Sequence, residues 1–163
     1  MMNTKEAKKE WEMEISLYNG KPVILKKEDV RTIITDAING ASAYWCDYCG
    51  IEKPVEIDPA APEKVKGEPE AEAIANGGEL AFYTTEAFET DEEGNDIEKY
   101  PLTLDKLIKG VKTYIETCPD ERKENLLILA RLKDEYGLDL TYIDGYIVDE
   151  ILQTALFGEP VFC

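Results

Sequence analysis

Trp11-Glu12-Met13-Glu14-Ile15-Ser16-Leu17-Tyr18-Asn19-Gly20-Lys21-Pro22-Val23-Ile24-Leu25 is the stretch that decides the fold class. Trp11, Met13, Ile15 and Leu17 alternate with Glu12, Glu14 and Ser16, and a period of two belongs to a strand with one buried face. Asn19-Gly20 supplies two residues that tolerate the positive φ of a tight hairpin turn. Pro22-Val23-Ile24-Leu25 reads as the returning strand, with Pro22 at its start, where a missing donor does little harm. The period then changes. Val30, Ile33, Ile34, Ala37, Ile38 and Ala41 recur every three or four residues, with Glu28 and Asp29 placed to offset a helix dipole. A hairpin feeding a helix already implies a mixed architecture.

Further along, the pattern changes again around Tyr44, and Val55-Glu56-Ile57 closes a third strand. Residues 58–69, rich in Pro and Gly and without an apolar period, read as a surface loop. Glu70 to Asn76 forms a short helix stopped by Gly77-Gly78. Leu80 to Thr85 is β-rich and runs toward Phe88, Asp91 to Asp96 is a hairpin tip, and Ile97 to Leu102 returns. Three helices are then expected. Thr103 caps the first, Asp120 caps a second that continues through Leu132 and ends near Gly137, and Asp144 opens a third that stops at Gly158. The expectation is α+β: one domain over residues 1–163, an antiparallel sheet with helices on one face, a helical C-terminal third, and frayed residues 1–10.

The charge is unusual. Thirty-five acidic residues face 18 basic ones, a net charge of −17. Such a field repels phosphate backbones and anionic lipid, so direct binding to nucleic acid or membrane is disfavoured and basic partners are favoured. Read blandly, the same charge only keeps the chain in solution. Histidine is absent, which removes the usual general base near neutral pH and the commonest metal ligand. The chain is therefore expected to be no enzyme and to carry no cofactor. Cys46 and Cys49 have the spacing of a zinc knuckle or a redox pair. No second such pair completes a metal site, so reduced thiols are expected. Met1-Met2-Asn3-Thr4-Lys5-Glu6 lacks an apolar core, and no apolar run reaches the ~20 residues that span a bilayer. The expected compartment is the cytoplasm.

Two groups of residues are candidate sites. Glu86, Glu89, Asp91, Glu92, Glu93, Asp96 and Glu98 crowd one hairpin with no basic residue between them. They either imitate the charges of a nucleic-acid backbone toward a basic partner or form a solvated turn. Their spacing does not fit a calcium loop. Tyr44, Trp45, Cys46 and Tyr48 follow the small residues Gly40 to Ala43. With Gly77 and Gly78 they either line a pocket for a flat ligand or fill the core where helix meets sheet.

Several blocks taken together carry a resemblance. They are Ala37-Ile38-Asn39-Gly40 leading to Tyr44-Trp45-Cys46, Gly77-Gly78-Glu79-Leu80, Leu102 to Gly110, and Asp149-Glu150-Ile151-Leu152-Gln153-Thr154-Ala155-Leu156-Phe157-Gly158-Glu159. The set resembles a family of small acidic proteins encoded by phages and prophages of Firmicutes. The chain departs from it at Gly40-Ala41, where a Gly-Gly pair is expected, and in a longer segment from Glu116 to Leu138. The resemblance implies a phage setting, where small acidic proteins interfere with host machinery, and no particular activity. The expectation that follows is a non-catalytic inhibitor of a basic host factor, such as a CRISPR effector or a restriction enzyme, acting by nucleic-acid mimicry. The alternative is a protein that sequesters a small molecule or nucleotide signal at Tyr44–Tyr48.

Overall fold

The computed structural model describes residues 10–162, so the frayed segment expected over residues 1–10 lies, apart from Glu10, outside the described residues. The architecture is α+β. The first hairpin forms as its sequence implies: β1 (Glu12–Tyr18) and β2 (Lys21–Lys26) pair antiparallel across a turn whose Asn19 and Gly20 both have positive φ. The strict alternation in β1 does not survive. A bulge between Glu14 and Ser16 turns Ile15 and Ser16 inward together and leaves Met13 and Leu17 exposed.

Helix α1 (Lys27–Asp36) buries Val30, Ile33 and Ile34. Asp29 caps it by accepting the Lys26 N–H at 2.8 Å, and burial pushes the Asp29 carboxyl above the usual range. The helix runs into a single π turn over Ala37–Ala41, where the Ser42 N–H reaches the Ala37 carbonyl and Gly40 takes φ 139°. Only a residue without a Cβ adopts that angle readily. Strand β3 (Cys46–Lys53) follows and stops short of the expected Val55–Ile57.

The segment expected as a bare loop over 58–69 contains one helical turn, α2 (Glu63–Lys66), before α3 (Pro69–Ala75). Gly77, at φ 88°, ends α3. Strands β4 (Glu79–Thr84) and β5 (Lys99–Thr103) complete an antiparallel sheet in the order β3-β4-β5. Helix α4 (Leu104–Thr117) starts at Thr103, whose hydroxyl accepts the Lys106 N–H at 3.3 Å.

The helical C-terminal third is interrupted. Helix α5 covers only Asp120–Leu126, and the expected helix through Leu132 is replaced by a hairpin of β6 (Leu127–Ala130) and β7 (Glu135–Leu138). A continuous apolar run such as Leu126 to Ala130 has no period to separate strand from helix. Tertiary pairing decides it: β7 joins β2 in parallel at Val23 and Tyr136, and Tyr136 packs edge-on against Tyr18 with ring centroids 5.0 Å apart. The result is a second, mixed sheet in the order β1-β2-β7-β6, where a single antiparallel sheet was expected. Helix α6 (Gly145–Phe157) closes the chain, capped by Asp144 and ended by Gly158 at φ 88°.

One hydrophobic cluster joins both sheets and the helices, including Val23, Leu25, Ile33, Ile34, Ile74, Phe82, Leu102, Val111, Ile151 and Leu152. Helices α4 and α6 touch backbone to side chain. A Cβ on Gly110 would lie 2.5 Å from that of Ala155, closer than real atoms approach.

Candidate functional site

The residues after the π turn converge on one carboxylate. Asp149, on the inner face of α6, is buried with 5% of its surface exposed. Its Oδ1 accepts the Ser42 hydroxyl at 2.8 Å and the Trp45 indole N–H at 2.6 Å. Its Oδ2 accepts the Tyr44 hydroxyl at 2.5 Å and the Gln153 amide at 2.9 Å. Those donors fill the acceptor capacity of a carboxylate, which is what makes its burial tolerable. One helical turn on, Gln153 turns its carbonyl to the C-terminal segment and accepts the Val161 and Phe162 N–H groups, both at 2.7 Å. The Phe162 ring thereby lies flat on Trp45, with centroids 5.6 Å apart and planes 3° from parallel.

This arrangement separates the aromatic residues that the sequence grouped. Trp45 is a core residue, 1% exposed. Tyr48 stands exposed on β3, where its ring meets Tyr83. Gly77 and Gly78 are at the far end of the same strand pair, Gly78 against the carbonyl of Lys53 while Cys46 pairs with Thr84. At about 3.3 Å per residue, the seven steps of β3 put roughly 23 Å between those ends. Gly77-Gly78 and Tyr44–Tyr48 therefore do not form one pocket.

A groove does open beside Tyr44, with a volume of about 460 Å³. Tyr44, Tyr146 and Phe162 give it aromatic walls, Ala41 and Gly145 leave room, and Asp149 and Glu150 also line it. Glu150 is engaged: it accepts the Tyr114 hydroxyl at 2.7 Å and pairs with Arg122 at 2.8 Å, whose guanidinium sits over the Tyr146 ring. The groove can stack a flat group or hold a hydrogen-bonding one. Its carboxylates are already committed to holding the protein together.

The thiols are quiet. Burial raises the pKa of Cys46, and burial pushes that of Cys49 up to about 12. A thiol so shifted has almost no thiolate at neutral pH and is a poor nucleophile or redox partner. Among the described residues no three or more Cys, Asp or Glu are grouped to hold a metal ion.

The acidic residues form the hairpin the sequence implies. Glu86, Glu89, Asp91, Glu92, Glu93, Asp96 and Glu98 are all exposed on the connection between β4 and β5. Asp91 is spent inside the loop, its Oδ1 accepting the Glu93 and Asn95 N–H groups, each at 2.9 Å, while Thr90 and Asp96 bridge the two arms. Glu89 accepts the Tyr100 hydroxyl at 2.7 Å. Phe88, beside it, stacks on Tyr100 and meets Phe157 and Phe162 edge-on. The hairpin is thus braced against the aromatic cluster that Asp149 and Gln153 organise. None of its seven carboxylates takes part in an ion pair among the described residues.

No protein-family model, curated protein or solved structure matches this chain. Sequence reasoning missed Ser42, Tyr146, Asp149, Gln153 and Phe162. One signal was available: the polar pairs Asp149-Glu150 and Gln153-Thr154 lie one turn apart in an otherwise apolar run from Ile147 to Phe157. No helix among the described residues is long and apolar enough to cross a membrane.

Proposed function

We propose that this chain is a non-catalytic acidic protein that binds a basic protein through the hairpin Glu86–Glu98, occupying a surface its partner uses for nucleic acid. In the phage setting suggested by the sequence, that partner is a host defence nuclease. The observation that carries the reading is a braced hairpin whose carboxylates have no ion-pair partner among the described residues. Elsewhere acidic side chains such as Glu52, Glu72 and Glu150 have ion-pair partners, whereas the hairpin presents its charge to solvent. Unpaired, pre-positioned carboxylates recruit a cationic groove at little ordering cost and speed encounter with it.

The test is capture of partners from nuclease-treated bacterial lysate with stepwise salt elution, repeated with Glu92→Gln, Glu93→Gln and Asp96→Asn combined. Asp91 is left intact because it holds the turn. Support requires a basic partner whose nucleic-acid binding is competed by the native chain, with affinity and salt dependence both reduced in the variant. Unchanged affinity and salt slope would overturn the reading.

The groove between Tyr44 and Tyr146 favours a second reading, a small-molecule ligand stacked on those rings. A nucleotide panel followed by Trp45 fluorescence tests it, since Phe162 separates the groove from the indole. A response lost in Tyr146→Ala supports this reading, and a flat titration across the panel removes it.

A further inference from the structure

Asp149 gives the groove beside Tyr44 a charge that its own network does not neutralise. The donors it holds, on Ser42, Tyr44, Trp45 and Gln153, are neutral groups. Among the described residues no cation pairs with it. Glu150, which also lines the groove, is balanced by Arg122 at 2.8 Å. The groove is therefore left with the Asp149 charge, inside a chain whose net charge is −17. That field turns phosphates away and draws cations in.

The walls suit a flat cation. Tyr44 and Tyr146 are exposed, and Phe162 lines the groove with Trp45 stacked behind it. Aromatic faces attract a guanidinium or an ammonium held within about 6 Å of the ring centre. The molecule already makes this contact once: the Arg122 guanidinium lies 5.6 Å from the Tyr146 centroid, with Arg122 itself outside the lining of the groove. Hydrogen-bonding capacity separates the two kinds of cation. Of the carboxylate oxygens on Asp149 and Glu150, only Oε2 of Glu150 has no hydrogen bond among the described residues. An ammonium is compact and strongly hydrated, and here it would exchange its water for too few acceptors. A guanidinium is planar, more weakly hydrated, and stacks on aromatic rings.

The groove adjoins the acidic hairpin. Phe162 forms its wall and also meets Phe88 edge-on at 5.4 Å, and Glu86 and Glu89 flank Phe88 in sequence. A surface that covers the base of the hairpin therefore has the groove one ring away. We infer that the groove seats an arginine side chain of the basic protein that the hairpin recruits, an assignment that rests on the hairpin contact proposed above. The two parts divide the work of binding. Exposed carboxylates steer the encounter, whereas an arginine anchored in a pocket is the kind of contact that carries most of an interface's energy. At about 460 Å³ the groove has room for that side chain.

Calorimetric titration of the full chain with acetyl-arginine methylamide, at constant ionic strength, tests the seat apart from the hairpin. The matching citrulline compound, of the same shape without the charge, and the lysine compound are the controls. Arginine should bind saturably, and citrulline and lysine each at least roughly tenfold more weakly. Tyr146→Ala, at an exposed position, should keep the thermal stability and weaken arginine binding roughly tenfold, whereas Tyr146→Phe should retain it. Capture of the basic partner should weaken in Tyr146→Ala as well. No saturable arginine binding, equal binding of citrulline, indifference of the titration or of the captured partner to Tyr146→Ala, or a nucleotide that binds where arginine does not would each overturn the inference. Failure of arginine to bind while capture still depends on the hairpin spares the hairpin reading. Arginine binding with capture indifferent to Glu92→Gln, Glu93→Gln and Asp96→Asn supports the seat and removes the hairpin reading.

Discussion

The molecule carries two long hairpins built on opposite plans. The one over residues 85–98 is half carboxylate and holds no basic residue, and its order comes from below: Phe88 is wedged among Tyr100, Phe157 and Phe162, Glu89 is tied to Tyr100, and Asp91 fastens the turn. The one over residues 127–138 is apolar along β6, cationic at its tip, and ordered from the side by β7 lying against β2. Exposure means different things in the two places. Exposed carboxylates are cheap in water and become useful only when a cation arrives. Exposed Ile128, Leu129 and Leu132 are unfavourable in water, so covering them is itself a driving force.

The largest test of this contrast removes the support under one hairpin alone. Asp149→Ala leaves the Trp45 indole and the Ser42 hydroxyl without their acceptor, and each unmet buried donor costs about 1–3 kcal/mol. A loss of about 3 kcal/mol in chemical denaturation is expected. Hydrogen exchange should quicken at residues 85–98 and 159–162, and much less at 127–138. Equal loosening of both hairpins would show that they share one support. Phe88→Ala is milder, about 1–2 kcal/mol, because Phe88 is only partly covered. Its signature is a faster-exchanging acidic hairpin around an unchanged Trp45 environment.

Asp91→Ala should cost under about 1 kcal/mol, since two exposed N–H groups can turn to water instead. Proteolytic nicking at residues 92–95 should nevertheless rise. Leu132→Ser should fall within about 0.5 kcal/mol of the parent, as expected for a side chain that packs on nothing within its own chain. A larger loss would mean that the apolar turn is covered within the monomer. A pH titration separates the hairpins without mutation. Burial, then the bond to Glu89, raises the Tyr100 hydroxyl above its ordinary range, so the fold favours the neutral phenol. The unfolded chain sheds that proton near pH 10, so this contribution is intact below about pH 10 and declines as the pH rises further. Exchange at residues 85–98 should then quicken ahead of exchange at 127–138.

Signals that act within a few residues were legible in the sequence. Asn19-Gly20 made its turn, Thr103 and Asp144 capped their helices, Gly77 and Gly158 ended theirs, and the acidic tip was found where its charges cluster. Features fixed by distant partners were not. The bulge in β1 depends on what Ile15 and Ser16 pack against, and β6 and β7 depend on Val23 meeting Tyr136. The Asp149 network joins residues more than a hundred positions apart. Trp45 could be read as core or as pocket because an aromatic side chain suits both, and burial, not sequence, separates the two.

The π turn at Ala37–Ala41 has a consequence for which changes of length the chain can accept. It accommodates one residue more than an α-helical turn would. Deleting one of the five would leave a regular turn with the residues after it still in phase, whereas adding one more would rotate everything after it by about 100°. Ser42, Tyr44 and Trp45 would then swing away from Asp149 together. Insertions should be tolerated in the loop before α3, whereas at residues 37–41 a gain of one should be as damaging as losing the carboxylate itself.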